Sequence, residues 1–397
     1  MTRRLSRRAL LGAMPIAVVA ACGGDDDKPA QPTETPTLEP TPEPESTATQ
    51  EPIGSPVASY DDPTKWAGRN LTFAGWGGEY QDAQEEALLA PFTAATGAGI
   101  QIKVGELDRL RLQVDEQQGS WDLLTLPAEE VLVLGRQGYL EPIDYSIVEK
   151  SVVQPEVTLQ YGVGAAYFST VIAYQRADSA PSGWPAFGNV TPLDDGTVPD
   201  AAQARALRRS PVGTLEFALL ADGVPLTDLY PIDLERALTS LDRIRGNVLV
   251  WYEDSKQPVE LLIADQVSMA SAWNVRPWQL GVADDIRVQW NGGMLSADVW
   301  VVPKGAPNAD VAMDLINYAT RSVPAANFSR LVPYGPVNPG ALSLLRPERL
   351  ADLPTAPANL ERQFVQNWAW WADNVEAVTL RFEDWLLGSE DMPAADE

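Results

Sequence analysis

From Trp66 onward the chain alternates short apolar runs with amphipathic helical ones. That order restricts it to an α/β architecture, in which each strand hides its apolar face beneath a covering helix. The stretch 298–319 shows the unit at its clearest. Residues 299–302 read as a strand opened by Asp298, Pro303-Lys304-Gly305 as a turn, and the remainder as a helix. Ala309, Ala312, Leu315, Ile316 and Ala319 share one helical face, and Asn308 stands at the N-cap position. A strand running straight into a helix sets its boundary residues beside the crevice where open α/β sheets hold ligands.

The same reading gives strands at 71–74, 100–104, 121–126 and 165–174, with helices at 81–95, 108–117 and 129–136 between them. Helices are expected at 201–209, 212–221 and 233–245. The last is the best marked: Asp233 caps it, Leu234, Ala237, Leu238, Leu241 and Ile244 form a stripe, and Gly246 closes it. Strands follow at 248–251, 267–273 and 286–290. Residues 359–387 read as helical, with Trp368, Trp370, Trp371 and Trp385 expected as packing groups.

The N-terminus reads as a targeting segment. Arg3, Arg4, Arg7 and Arg8 precede an apolar run at 10–21 that is too short to span a bilayer. Val19-Ala20-Ala21-Cys22 resembles a lipobox, and Ser6-Arg7-Arg8-Ala9-Leu10-Leu11 resembles a twin-arginine export motif. We therefore expect a signal peptide at 1–21, a lipid on Cys22 and a Pro/Thr/Glu-rich tether over 22–63. The anchored protein would face the periplasm or the cell surface. Cys22 is the only cysteine and there is no histidine, so intrachain disulfides, thiol or imidazole catalysis and His/Cys metal sites are excluded. A net charge of −26 argues against nucleic acid and anionic membrane surfaces; it suits a cationic ligand or simply solubility.

Several runs resemble the extracytoplasmic solute-binding proteins of ABC importers, nearest to the spermidine/putrescine-binding branch. They are G-W-G-G-E-Y from Gly75, P-F-T-A-A-T-G from Pro91, W-D-L-L from Trp121, A-Y-F-S-T-V-I-A-Y from Ala166, L-E-F-A-L-L-A-D-G-V-P from Leu215, V-P-K-G-A-P-N from Val302 and Y-G-P-V-N-P from Tyr334. The resemblance implies an α/β, two-lobed periplasmic-binding-protein-like fold (type II) with two crossing strands and an inter-lobe ligand cleft. Residues 64–175 with 298–345 would form the first lobe, 176–297 the second, and 346–397 C-terminal helices packed on the lobes. The crossings are expected near 173–176 and 289–298. It further implies a monomer that delivers its ligand to a membrane permease, with no cofactor and no turnover.

A polyamine needs carboxylates for its ammonium groups and flat aromatic walls for its methylenes. The resemblance places Trp76, Glu79 and Tyr80 after the first strand, Tyr167 on a crossing strand, Trp273 and Asn274 in the second lobe, Asp298 as the amine-binding acid and Tyr334 as a late aromatic. Glu129 is either a compensating acid or the first turn of a helix. For Trp76 and Glu79 the alternatives are packing beneath the next helix and favouring its N-terminus; for Asp298, an exposed strand start. Ser296 stands where an aromatic is expected. Arg276 puts a positive charge near the cleft, which would suit a neutral or zwitterionic ligand better than a simple cation. On balance the expectation is a cationic, polyamine-like amine. A sugar, a thiamine-like compound, iron held by oxygen ligands and a two-carboxylate glycosidase are the alternatives. The anchor has a direct test: Cys22→Ala is expected to release the protein from membranes or leave it as uncleaved precursor. Processed Cys22→Ala protein fractionating with membranes would rule the lipobox out.

Overall fold

The computed structural model describes residues 53–54, 56–176, 179–193 and 197–388. The expected signal peptide, Cys22 and the tether as far as residue 52 lie outside them. Among the described residues the strands are β1 Asn70–Gly75, β2 Gly99–Val104, β3 Leu123–Pro127, β4 Val163–Gln175, β5 Arg205–Arg208, β6 Val248–Tyr252, β7 Met269–Trp273, β8 Ile286–Val301 and β9 Phe364–Val365. They form one mixed sheet in the order β2-β1-β3-β8-β4-β7-β5-β6, with β9 also paired to β8.

The fold is the expected two-lobed α/β one, and the two long strands belong to both lobes. β4 and β8 pair antiparallel from Val163↔Trp300 to Gln175↔Ile286. β3 pairs with the C-terminal end of β8, at Val299 to Val301 and Asp298, while β7 pairs with β4 from Thr170 to Tyr174. The passage between lobes therefore falls at 167–169 on β4 and 295–297 on β8, before the expected 173–176 on the first strand. On the second-lobe side adjacent residues alternate between two cores. Leu207 and Ile172 pack with the helices Pro211–Ala221, Leu234–Asp242 and Trp368–Leu387, whereas Ala206 and Ala173 pack with the helix Gln257–Ile263.

Four local expectations are corrected. Residues 359–387 are not helical throughout: the short helix Pro357–Leu360 gives way to β9, and the long helix begins only at Trp368. Residues 286–290 and 299–301 are parts of one 16-residue strand, Ile286–Val301, so Asp298 lies inside β8 rather than opening a strand. Gly292 bridges the two parts. Its φ of 75° lets residues 290–293 bulge opposite Val171, and a β-carbon there would come within 2.7 Å of Trp184. Residues 201–209 are no helix: β5 occupies 205–208, held by parallel pairing to β6 and β7 and by the buried Arg205, which donates to the carbonyls of Phe187, Ala202 and Ala204. Asn308 sits at the N-cap position of Ala309–Ala319 without capping it. Its amide donates to the carbonyl of Asn70 and to Asp122 instead. Asp233 does cap its helix, accepting from the amide of Arg236. The C-terminal tryptophans pack as expected: Trp368 and Trp371 are buried, and Trp385 Nε1 donates to Asp242.

The folded part also starts before residue 64. Tyr60 packs against Phe92 and Tyr318, and its hydroxyl donates to both the carbonyl and the carboxylate of Asp314. Trp66 Nε1 and Lys65 Nζ reach the other carboxylate oxygen at 2.7 and 2.8 Å. One buried acid thus gathers the N-terminal segment onto the helix Ala309–Ala319. The aromatic ring of Tyr60 is the feature that the surrounding Pro- and Glu-rich composition masks. Removing the acid orphans these donors, so Asp314→Ala is expected to cost about 3 kcal/mol of stability. A urea midpoint within error of the parent's would refute this strap.

Candidate functional site

β1 and β3 are parallel neighbours, so their carboxyl ends lie side by side. After β1 the chain passes Trp76 and enters the helix Gly78–Gln84, which carries Glu79 and Tyr80 in its first turn. After β3 the helix Ala128–Gln137 starts at once and carries Glu129 in its first turn. Asp298 of β8 stands opposite Pro127, the last residue of β3. Three acids from distant parts of the chain are thereby gathered at one end of the sheet, on the first lobe. The second lobe faces them with the end of β5, which carries Arg208, and the end of β7, where Trp273 is followed by the short helix Arg276–Gln279.

Between the lobes lies a cleft of about 620 Å³. Its walls include Trp76, Glu79, Tyr80, Glu129, Trp273, Asp298 and Tyr334, so seven of the sequence candidates converge on one space. A chain of ring contacts runs across it. Tyr80 meets Tyr334 at 4.7 Å, Tyr334 meets Phe168 at 6.4 Å and Phe168 meets Trp273 at 5.3 Å, all edge-to-face. Acids mark the Tyr80 end. At the other end the guanidinium groups of Arg276 and Arg208 lie over the Trp273 ring at 4.7 and 5.5 Å. The Trp273 face expected to receive a ligand cation is thus taken by the protein's own cations. Arg276 also hydrogen-bonds Gln279.

Tyr167 and Asn274 do not line the cleft. Tyr167 is fully buried, and its backbone exchanges two 2.8 Å hydrogen bonds with Gly335. Asn274 accepts from the amide of Ser169 and donates to the carbonyl of Pro333. Both hold the segment that carries Tyr334. The sequence reading missed Phe168, Thr170, Arg208 and Gln366. Phe168 and Thr170 share a parity on β4 opposite to that of Tyr167, and the side-chain period of two was the signal that could have found them. Arg208 was hidden in a stretch read as helix. Ser296 does not supply a ring; its hydroxyl donates to Gln366, which neighbours Glu129. Among the described residues no group of three His, Cys, Asp or Glu could hold a metal ion, and no helix is long and apolar enough to cross a membrane.

Residues 87–358 match the family described as bacterial extracellular solute-binding protein. The chain belongs to that family. It is 33% identical over 330 residues to the gamma-aminobutyric acid-binding protein of Pseudomonas aeruginosa, covering 80% of this chain and 91% of that one. To the spermidine/putrescine-binding periplasmic protein of Escherichia coli it is 23% identical over 314 residues, covering 75% and 86%. The crystal structure of an ABC transporter substrate-binding protein from Bradyrhizobium japonicum superposes with a TM-score of 0.73 at 32% identity, over 80% of this chain and 99% of that one. This is an ABC transporter substrate-binding protein for a small solute.

The cleft of this solute-binding protein separates charge across its ring floor. Burial pushes the Asp298 carboxyl up to about 7; the nearby Tyr80 phenol lowers it somewhat and the Glu129 charge raises it further. Burial also raises Glu129, partly offset by its own backbone amide and Gln366. Arg276 is lowered by burial and supported by Tyr334, Asp254 and Glu79. The charge that stands beside Asp298 is that of Glu129. The stability consequence has a definite sign. An unfolded Asp releases its proton near 4, whereas Asp298 in the folded chain holds it up to about 7. The folded state therefore binds more protons between these values, and this group's contribution to stability falls as pH rises through that window. Asp298→Asn is accordingly expected to raise the melting temperature of the ligand-free protein at pH 8 and to change it little at pH 4. Equal shifts at both pH values would contradict it.

Proposed function

We propose that this substrate-binding protein captures a small zwitterion whose ammonium and carboxylate groups are separated by a short apolar chain. Asp298 and Glu129 receive the ammonium group, Arg208 and Arg276 the carboxylate, and the rings of Tyr80, Tyr334 and Phe168 cover the methylenes between. The single observation that carries this reading is the opposition of acids and guanidinium groups at the two ends of one aromatic floor. A diamine would bring its second ammonium group against two guanidinium groups in a site of low dielectric, where like charges repel strongly. The purely cationic ligand suggested by the sequence is therefore the poorer match, and a 4-aminobutyrate-like amino acid the better one. The gamma-aminobutyric acid-binding relative supports the same choice.

The energetics are sufficient. Each charge-assisted hydrogen bond contributes about 1.5–3 kcal/mol, and micromolar binding corresponds to about −8 kcal/mol. Two such contacts at each end, with burial of the methylenes, reach that value after association costs. In this proposal the ligand favours the closed arrangement of the lobes because only it satisfies both walls at once. A lipid on Cys22 holds the protein at the membrane through the Pro-rich tether, and the closed form hands its cargo to a membrane permease.

Calorimetry with 4-aminobutyrate, putrescine and glucose tests the ligand class. We expect 4-aminobutyrate to bind, putrescine to bind at least about tenfold more weakly, and Asp298→Asn or Arg208→Gln each to weaken 4-aminobutyrate binding by roughly 10- to 100-fold, the equivalent of one charge-assisted contact. Affinity should also drop about tenfold from pH 8 to pH 6, since below about 7 the ligand must first displace the Asp298 proton. Tighter binding of putrescine, or affinity for 4-aminobutyrate indifferent to Arg208→Gln, would overturn the proposal.

A further inference from the structure

Glu216 is a fully buried carboxylate outside the cleft, and the proposed binding chemistry makes no use of it. Three donors converge on it. The amide of Gly213 reaches Oε2 at 2.9 Å, while the Tyr230 hydroxyl and Trp371 Nε1 reach Oε1 at 2.5 and 2.7 Å. These donors come from three separate places: the turn after β5, the segment before the helix Leu234–Asp242, and the C-terminal helix Trp368–Leu387. An acceptor-only group is the one side chain that satisfies all of them.

The Gly213 contact gives the arrangement a consequence for ligand binding. Val212 and Gly213 break the helical geometry at the start of Pro211–Ala221, with ψ of 121° at Val212 and φ of 84° at Gly213. Gly213 packs so closely that a β-carbon would meet the Met294 methyl at 3.1 Å. Val212, Met294 and Arg208 all line the cleft. The turn between Arg208 and Gly213 is closed by Thr214 Oγ1 and the Ser210 amide, both donating to the Arg208 carbonyl, at 3.0 and 2.9 Å. Arg209, next to Arg208, bonds Glu383 of the C-terminal helix at 2.6 Å. The C-terminal helix therefore grips this turn twice: from inside through Trp371 and Glu216, and from outside through Glu383.

We infer that Glu216 is a positioning residue for the carboxylate-binding end of the cleft: by holding the Gly213 amide it fixes the kinked turn from which Arg208 and Val212 face the ligand. The inference rests on the zwitterion reading for its ligand, but not for its mechanics. In Glu216→Gln the amide oxygen can stay with Tyr230 and Trp371, which turns the NH2 group toward the Gly213 N–H, donor against donor. The substitution thus releases the turn while keeping most of the buried network.

Two measurements on the full chain test it. Hydrogen–deuterium exchange of Glu216→Gln should show faster exchange confined to the amides of residues 208–214; unchanged exchange there, or uniformly faster exchange throughout, overturns the claim. Calorimetry with 4-aminobutyrate then reads coupling. Glu216→Gln should weaken binding about tenfold with Arg208 present but less than about twofold in the Arg208→Gln background, because two residues acting through one contact are not additive. Equal losses in both backgrounds would mean a general structural role and would also overturn it. If Glu216→Gln fails to fold, Glu216→Asp keeps the charge but is too short to hold the Gly213 amide together with Tyr230 and Trp371, and it should move the same two readouts in the same direction. Failure of the parent chain to bind 4-aminobutyrate sinks the ligand reading alone; the exchange pattern then decides the positioning claim.

Discussion

The antiparallel pairing of β4 with β8 carries both lobes, because each strand contributes one end to each of them. β8 lends its C-terminal end to β3 and its N-terminal part to the second lobe, and β4 brings β7 alongside. Any relative motion of the lobes must pass through these two ladders. The cleft lies where they change partners, which is why Asp298, Ser296 and Met294 of β8 and Phe168 and Thr170 of β4 all reach it. Leu295 and Val299 on β8 and Tyr167 on β4 point the other way, into the first-lobe core. Tyr167 and Val299 are fully buried there. One pair of strands thus supplies the hinge, the floor of the site and part of both cores.

Charge is spent in this cleft in a way the rest of the molecule avoids. Elsewhere buried acids are fully partnered: Asp314 serves Tyr60, Trp66 and Lys65, and Glu216 serves three donors. Asp298 has a phenol on one side and another carboxylate on the other, and its proton affinity is raised accordingly. Leaving a carboxylate so poorly compensated costs stability when it is ionised, a cost that a proton or a bound cation removes. On the opposite wall Arg276 is desolvated against the Trp273 ring, and only longer-range charges such as Asp254 and Glu79 offset that burial. The proposed zwitterion would relieve both walls together, because it carries a charge of the needed sign to each.

Much of this was legible in the sequence. The order of strands and helices gave the α/β class. The strand–helix junctions at 75–80 and 127–129 located two of the acids, since a residue in the first turn after a parallel strand has few other places to be. Long-range partnership was not legible. Phe168 and Tyr167 differ by one step along a strand, and only the register against β8 decides which ring faces the cleft. Arg208 sits in a stretch rich in Ala, Leu and Arg whose composition favours a helix. The parallel neighbours β6 and β7 override that preference. Tyr60 shows the same limit in reverse, for its disordered-looking surroundings give no sign of the buried acid that holds it, which lies 254 residues away.

The C-terminal helix Trp368–Leu387 adds a constraint that two crossing strands alone would not impose. Trp368 packs into the first-lobe core and Trp371, one turn on, into the second-lobe core. The helix pairs Asp373 with Arg136 on the first-lobe helix Ala128–Gln137, and Glu383 and Trp385 with Arg209 and Asp242 on the second. The segment just before it runs through the cleft, with β9 on β8 and Gln366 beside Ser296. A buried aromatic contact of Trp371's size is far harder to break than an exposed ion pair such as Arg136–Asp373. Trp368 is itself a buried aromatic of the first-lobe core, so the helix is tied to both lobes by apolar contacts, and the exposed ion pairs are the weaker of its attachments. Gln366, two residues before the helix, joins that attachment to the polar edge of the site through Ser296 and Glu129.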